Sequence, residues 1–189
     1  MKNKILIYAL LLFTLTISIN AQTEKTQVLA QSKKVIAALK NKDMKALATL
    51  IHPAKGVRFS PYGYIDAEND LVFKRSQIPS LMLTRRTYNW GAADGTGDQI
   101  NLGFPAYFNK FVYDKDFSRA PQIVYNRIAK QGNTMVNIAD AYKNAKFVEY
   151  HFPGTKRYDG MDWRSLRLVF EKSGGNWYLV GISHDQWTI

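Results

Sequence analysis

The 189-residue chain has no cysteine and only three histidines. The first absence excludes a disulfide scaffold, thiolate metal sites, a cysteine nucleophile and a lipid anchor on an N-terminal cysteine. The second leaves little for a histidine-built metal centre, and no His-Glu-x-x-His pair occurs. There is no Gly-x-Ser-x-Gly elbow of a hydrolase. The glycines between Gly91 and Gly97 are not followed by the Lys-Ser/Thr of a phosphate-cradling loop. No internal repeat, low-complexity tract or linker is visible. At 46% hydrophobic and 22% charged residues the chain has a globular composition, which excludes a disordered tail, a collagen-like fibre and a polytopic membrane protein.

What is present begins with an address. Lys2 and Lys4 precede an uncharged apolar run, Ile5–Ile19, and Ala21 offers a small residue for cleavage before Gln22. This pattern predicts a secretory signal over 1–21, with export to the periplasm or beyond, no transmembrane segment after cleavage, and one domain over 22–189. Fifteen helical residues rise about 22 Å, short of a hydrocarbon core of about 30 Å. Cleavage leaves 24 basic against 15 acidic residues. The basic residues are dispersed, and the densest set (Lys33, Lys34, Lys40, Lys42, Lys45) reads as the solvated face of two helices. Nucleic acid is therefore not an expected partner; lipid head groups or envelope glycans are the anionic neighbours an exported basic protein meets.

Apolar spacing predicts a helix over 24–40 and a second, capped by Asp43, that ends before Pro53. Short strands are expected at 56–60, 70–74 and 84–90, with a helical turn at 77–82 and a loop over 91–98. Pro105 and Pro121 each stand where a helix can begin, with Gly132 closing the second, and 134–142 adds a further turn or two. Residues 145–152, 163–172 and 176–186 read as three long strands, the last two joined through Ser173-Gly174-Gly175-Asn176. Alternation puts Tyr178, Val180 and Ile182 on one face. Helices first and a strand meander last predict an α+β fold: a curved antiparallel sheet wrapping N-terminal helices, with a helical insertion in the middle.

The helix pair ending in Leu50-Ile51-His52-Pro53, and the terminal hairpin running from Trp163-Arg164-Ser165-Leu166 to Ile182-Ser183-His184-Asp185, resemble the nuclear transport factor 2-like (SnoaL-like) superfamily. That resemblance implies an α+β cone enclosing a pocket. Its members include isomerases, dehydratases, cyclases and non-enzymatic binding domains, so it implies a pocket and not a reaction. The segments His52–Tyr62 and Gly160–Ile189 are similar, more closely, to a group of exported bacterial proteins. None of the superfamily's catalytic sets maps onto this chain residue by residue.

The residues themselves nominate several sites. Ser183-His184-Asp185 is no ready triad, because His184 faces opposite to its two neighbours. His184 is the candidate acid/base, needing a carboxylate such as Glu149 or Asp162; the alternative is a core histidine bonded to backbone. Arg58, with Tyr62 and Tyr64, is a candidate ligand-binding group for a carboxylate, sulfate or phosphate, or else a structural partner of Glu149 or Asp185. Glu149 and His151 share one strand face and could contribute to a metal site with a third ligand such as His184; Glu149, His151 and Asp185 are also candidate ligand-binding residues. Metal at this set is not expected, and no cofactor is implied. Asp94, Asp98 and Thr96 hint at calcium but lack an EF-hand's remaining ligands. Trp90, Trp163, Trp177 and Trp187, with Tyr62, Tyr64 and Tyr150, could stack sugar rings, although core packing accounts for most of them. The leading expectation is a non-enzymatic pocket protein for a small anionic or glycan-like ligand or an envelope partner. The alternatives are a pocket enzyme (isomerase, dehydratase or hydrolase type) using His184, and a homodimeric assembly domain joined through the outer sheet face.

Overall fold

The computed structural model describes residues 23–188, so the predicted signal segment lies outside the described residues. Helix α1 (23–40) buries Val28, Val35, Ile36 and Leu39 along one stripe and leaves Lys33, Lys34 and Lys40 exposed. After a turn, α2 (Met44–Leu50) starts where the Asp43 carboxylate accepts the Ala46 N–H, and stops before Pro53. Among the described residues no helix is long and apolar enough to cross a membrane.

Six strands form the main sheet in the order β2-β1-β8-β7-β6-β5. They are β1 (Val57–Ser60), β2 (Val72–Phe73), β5 (Gln122–Tyr125), β6 (Lys146–Phe152), β7 (Arg164–Ser173) and β8 (Asn176–Gln186). Every pairing is antiparallel except that of β1 with β8, which is parallel. The sheet is curved and unclosed, with α1 and α2 packed on its inner face. A separate hairpin, β3 (Thr87–Ala92) and β4 (Gln99–Gly103), leads into α3 (Phe104–Phe111), whose Pro105 lies in the first turn.

The inner sheet face and the helices share an aromatic core. Phe59, Phe73, Phe104, Phe108 and Phe111 are buried in it, and Trp90 stacks on Tyr107 with ring centroids 3.6 Å apart. Large rings thus fill the space the helices and sheet enclose.

Four expectations change. Residues 121–130 are not a helix: Gln122–Tyr125 form edge strand β5 against β6, and Gly132 is no helix cap. Ile123-Val124-Tyr125 is too short a run to declare its period, and pairing with β6 decides it. Strand β4 was not anticipated beyond the 91–98 loop. Finally, β8 is bulged: Val169 pairs with Gly181 but Phe170 with Leu179, so Val180 is the extra residue. The bulge turns Val180 away from Ile182 into a small second cluster with Val169, Ile65 and Ile138. The helical insertion shrinks to α3, short 3₁₀ turns and the single turn α4 (Ile138–Ala141).

Candidate functional site

The alternation of β6, β7 and β8 sends the nominated residues to opposite sides of the sheet. His184 turns inward, with no exposed surface, edge-on to Phe111. Its carboxylate comes from Asp114, in the turn after α3: His184 Nε2 lies 3.1 Å from Asp114 Oδ1, and Arg164 Nε donates to Asp114 Oδ2 at 2.9 Å. Burial alone would push the Asp114 carboxyl up, but His184 and Arg164 overcome it and hold it below its ordinary value. Neither Glu149 nor Asp162 is the partner. Asp162 instead accepts the backbone N–H and hydroxyl of Thr155.

Glu149, His151 and Asp185 lie on the outer face, under a roof made by the chain itself. Arg167, fully buried, donates to Asp185 Oδ2 at 2.8 Å and to Glu149 Oε1 at 3.2 Å. The roof segment 126–145 completes the arrangement: the Ala129 N–H donates to Glu149, and Arg167 donates to the Lys130 carbonyl. Gly63 and Gly132 allow the covering loops to press down, since a Cβ on either would meet Asp185 or Trp163 at 2.8 Å. Asn137 binds both backbone groups of Ile65, tying the two covering segments together. Burial raises the Asp185 carboxyl despite Arg167, and burial lowers the His151 imidazole, whose Nδ1 pairs with Ser165 Oγ at 2.8 Å. Among the described residues no group of three or more metal-ligand side chains is assembled.

Arg58 also faces outward, half-buried, and spends its guanidinium on the backbone carbonyls of Asp66 and Asp70 at 3.0 and 3.1 Å. It braces the 61–70 loop and does not meet Glu149 or Asp185. His52 accepts the N–H groups of Ala54 and Lys55 and closes a turn.

That braced loop forms one wall of a cavity of about 430 Å³, a volume typical of small-molecule sites. Tyr62, Tyr64, Asp66, Asn69 and Asp70 line this wall. The β3–β4 hairpin supplies the other, with Trp90, Asp94 and the Gly91–Gly97 turn; Thr134 comes from the outer roof. Contacts with Asn69 hold the Asp66 carboxyl below its ordinary value, and hydroxyls from Thr134 and Thr188, each 2.6 Å away, do the same for Asp94. Burial lifts Asp70 to about 6, against hydrogen bonds from Ser60 and the Asp66 N–H. Next to Trp90, the Tyr107 hydroxyl is wholly buried without a hydrogen-bond partner; burial first, and then the Asp70 carboxylate, push its phenol well up.

Of the residues nominated from the sequence, Tyr62 and Tyr64 line this cavity, joined by Trp90 and Asp94 from the weaker aromatic and calcium patterns. Arg58, Glu149, His151, His184 and Asp185 do not. Asp66 and Asp70 were missed; their signal was two carboxylates four apart in a loop opened by Pro61. Asp114, seventy positions from His184, had no local signal.

Among solved structures the chain is similar to a candidate dehydratase of the NTF2-like family from Streptomyces avermitilis. The two are 11% identical, with a TM-score of 0.41 over 89% of this chain and 99% of that one. It is also similar to a designed NTF2 protein, 11% identical, with a TM-score of 0.31 over 87% of this chain and 96% of that one. No protein-family model and no curated protein matches the sequence. At such similarity no property of those sites passes to this one.

Proposed function

We propose that this chain is an exported, pocket-type binding protein for a small polyhydroxylated, glycan-like ligand. The observation that carries the reading is the lining of the cavity between the 61–70 loop and the β3–β4 hairpin: aromatic rings beside ionised carboxylates, with no lysine or arginine. Carboxylates accept hydrogen bonds from sugar hydroxyls, and tyrosine and tryptophan rings cover the apolar faces of sugar rings. An anionic ligand would meet like charge here, so the glycan-like half of the expectation is the one this lining favours. Export rests on the signal pattern and on the resemblance to exported bacterial proteins.

A pocket enzyme has one observation in its favour, and it shifts the acid/base role from His184 to Asp70. His184 has no exposed surface, whereas Asp70 lines the cavity with a carboxyl lifted to about 6.

The test is a backbone amide NMR titration of the mature protein with neutral and amino disaccharides. Saturable shifts are expected at 62–70, at 91–97 and at Thr134, and Tyr62→Ala should remove them. A folded protein with no saturable shift in those segments overturns the reading.

A further inference from the structure

The cavity carries a charge opposite to that of the molecule around it. Among the described residues three acids, Asp66, Asp70 and Asp94, line it, and no lysine or arginine does. Among the described residues no lysine or arginine forms an ion pair with Asp66, Asp70 or Asp94, although Lys40, Lys55, Lys146, Arg164 and Arg167 all pair with acids elsewhere. Arg58 acts on Asp66 and Asp70 through space, while its guanidinium donates to the backbone carbonyls of the same two residues.

A second observation lies behind the lining, one ring in from Trp90. Tyr107 is 0% exposed and its hydroxyl makes no hydrogen bond, a costly state for a buried polar atom. Its ring stacks on Trp90, which lines the cavity, and its oxygen feels Asp70 and Tyr62, which line it too. The site therefore offers a fixed set of negative or acceptor groups around an oxygen that lacks a partner.

We infer that the ligand this cavity selects bears a protonated amine, as an amino sugar does, with the ammonium among Asp66, Asp70 and Asp94 and beside the faces of Tyr62 and Tyr64. The inference rests on the reading of the cavity as a ligand site and adds the feature that discriminates between ligands. An ammonium brings three donors to a place that has acceptors and no cation of its own. The aromatic faces add attraction for the same charge. The net positive charge of the chain disfavours a cation over most of its surface, so the negative cleft also helps to set where it docks.

The experiment compares two probes of the same sugar backbone: the β-1,4-linked glucosamine disaccharide, whose amines are cationic, and its N,N′-diacetyl form, in which each is a neutral amide. Each is titrated calorimetrically into the mature protein near neutral pH, at low and at high salt. The amine form is expected to bind at least about tenfold tighter, with the preference shrinking at high salt and in Asp70→Asn. Asp66→Asn, at a partly exposed loop position, provides the same readout should Asp70→Asn fail to fold. Equal binding of the two probes overturns the amine inference and leaves the cavity reading standing. Binding of neither probe by folded protein overturns both.

Discussion

Two groups of carboxylates in this chain are treated in opposite ways. Glu149 and Asp185 have no exposed surface, yet every strong demand they make is met inside the fold, by Arg167, by the Ala129 N–H and by the roof over the outer face. Asp66, Asp70 and Asp94 are bound only by neutral hydroxyl, amide and backbone donors, and they face open space. The first group is what a buried charge needs in order to be tolerated: a countercharge and satisfied lone pairs. The second feels Arg58 only through space and has no ion-paired countercharge, and a cationic ligand can provide one. The difference separates residues that hold the fold from residues that wait for a partner, although both groups are acids in the same small domain.

That contrast can be broken most forcefully at Arg167. Arg167→Met leaves two buried carboxylates without a cation, and unfolding by urea should show a loss of about 3–5 kcal/mol. Adding Glu149→Gln and Asp185→Asn should recover much of it; no recovery would mean that the arginine acts by packing alone.

Asp114→Ala should cost about 2–3 kcal/mol, because His184 and Arg164 lose their shared acceptor in a buried place. Calorimetric titration should find ligand binding unchanged, since none of the three lines the cavity. Arg58→Ala removes two bonds to loop carbonyls and should lower stability by about 1–2 kcal/mol. Here binding should weaken as well, through the loosened 61–70 wall, so this variant sharpens the line between bracing a site and forming it.

The smallest expected effect is at Asp70. In the folded protein its carboxyl keeps a proton up to about 6, against an ordinary 3.8. Between those values the folded state binds more protons than the unfolded one, so stability falls as pH rises through that window and is level above it. Allowing for partial exposure, the change is about 1 kcal/mol. Thermal melts of Asp70→Asn should therefore exceed the parent near pH 7 and match it near pH 4.

The sequence showed the helix pair, the three long strands and the opposite facing of His184 and its two neighbours, because each follows from regular spacing. It hid what depends on distant pairing. Gln122–Tyr125 read as a helix start after Pro121 until β6 claimed it as a strand. The bulge at Val180 broke an alternation that looked continuous. The roof over the outer face could not be foreseen, because 126–145 has little periodicity and its role is to satisfy Arg167 and Glu149. Tyr62, Tyr64 and Trp90 were legible as ring chemistry but not as neighbours, since the loop and hairpin that unite them are separate in sequence. His184 drew attention by its type and position, and the structure makes it part of the interior.

The most direct test of the contrast is a carbon-detected NMR titration of the side-chain carboxyls of Asp70 and Asp185, with and without the saturating glucosamine disaccharide. A cation bound in the cavity favours the ionised form of its neighbour. The midpoint of Asp70 should therefore drop from about 6 when the disaccharide is present, while that of Asp185, already facing Arg167, should stay where it was. An Asp70 midpoint that ignores the saturating amine, or a shift at Asp185 instead, would contradict the account.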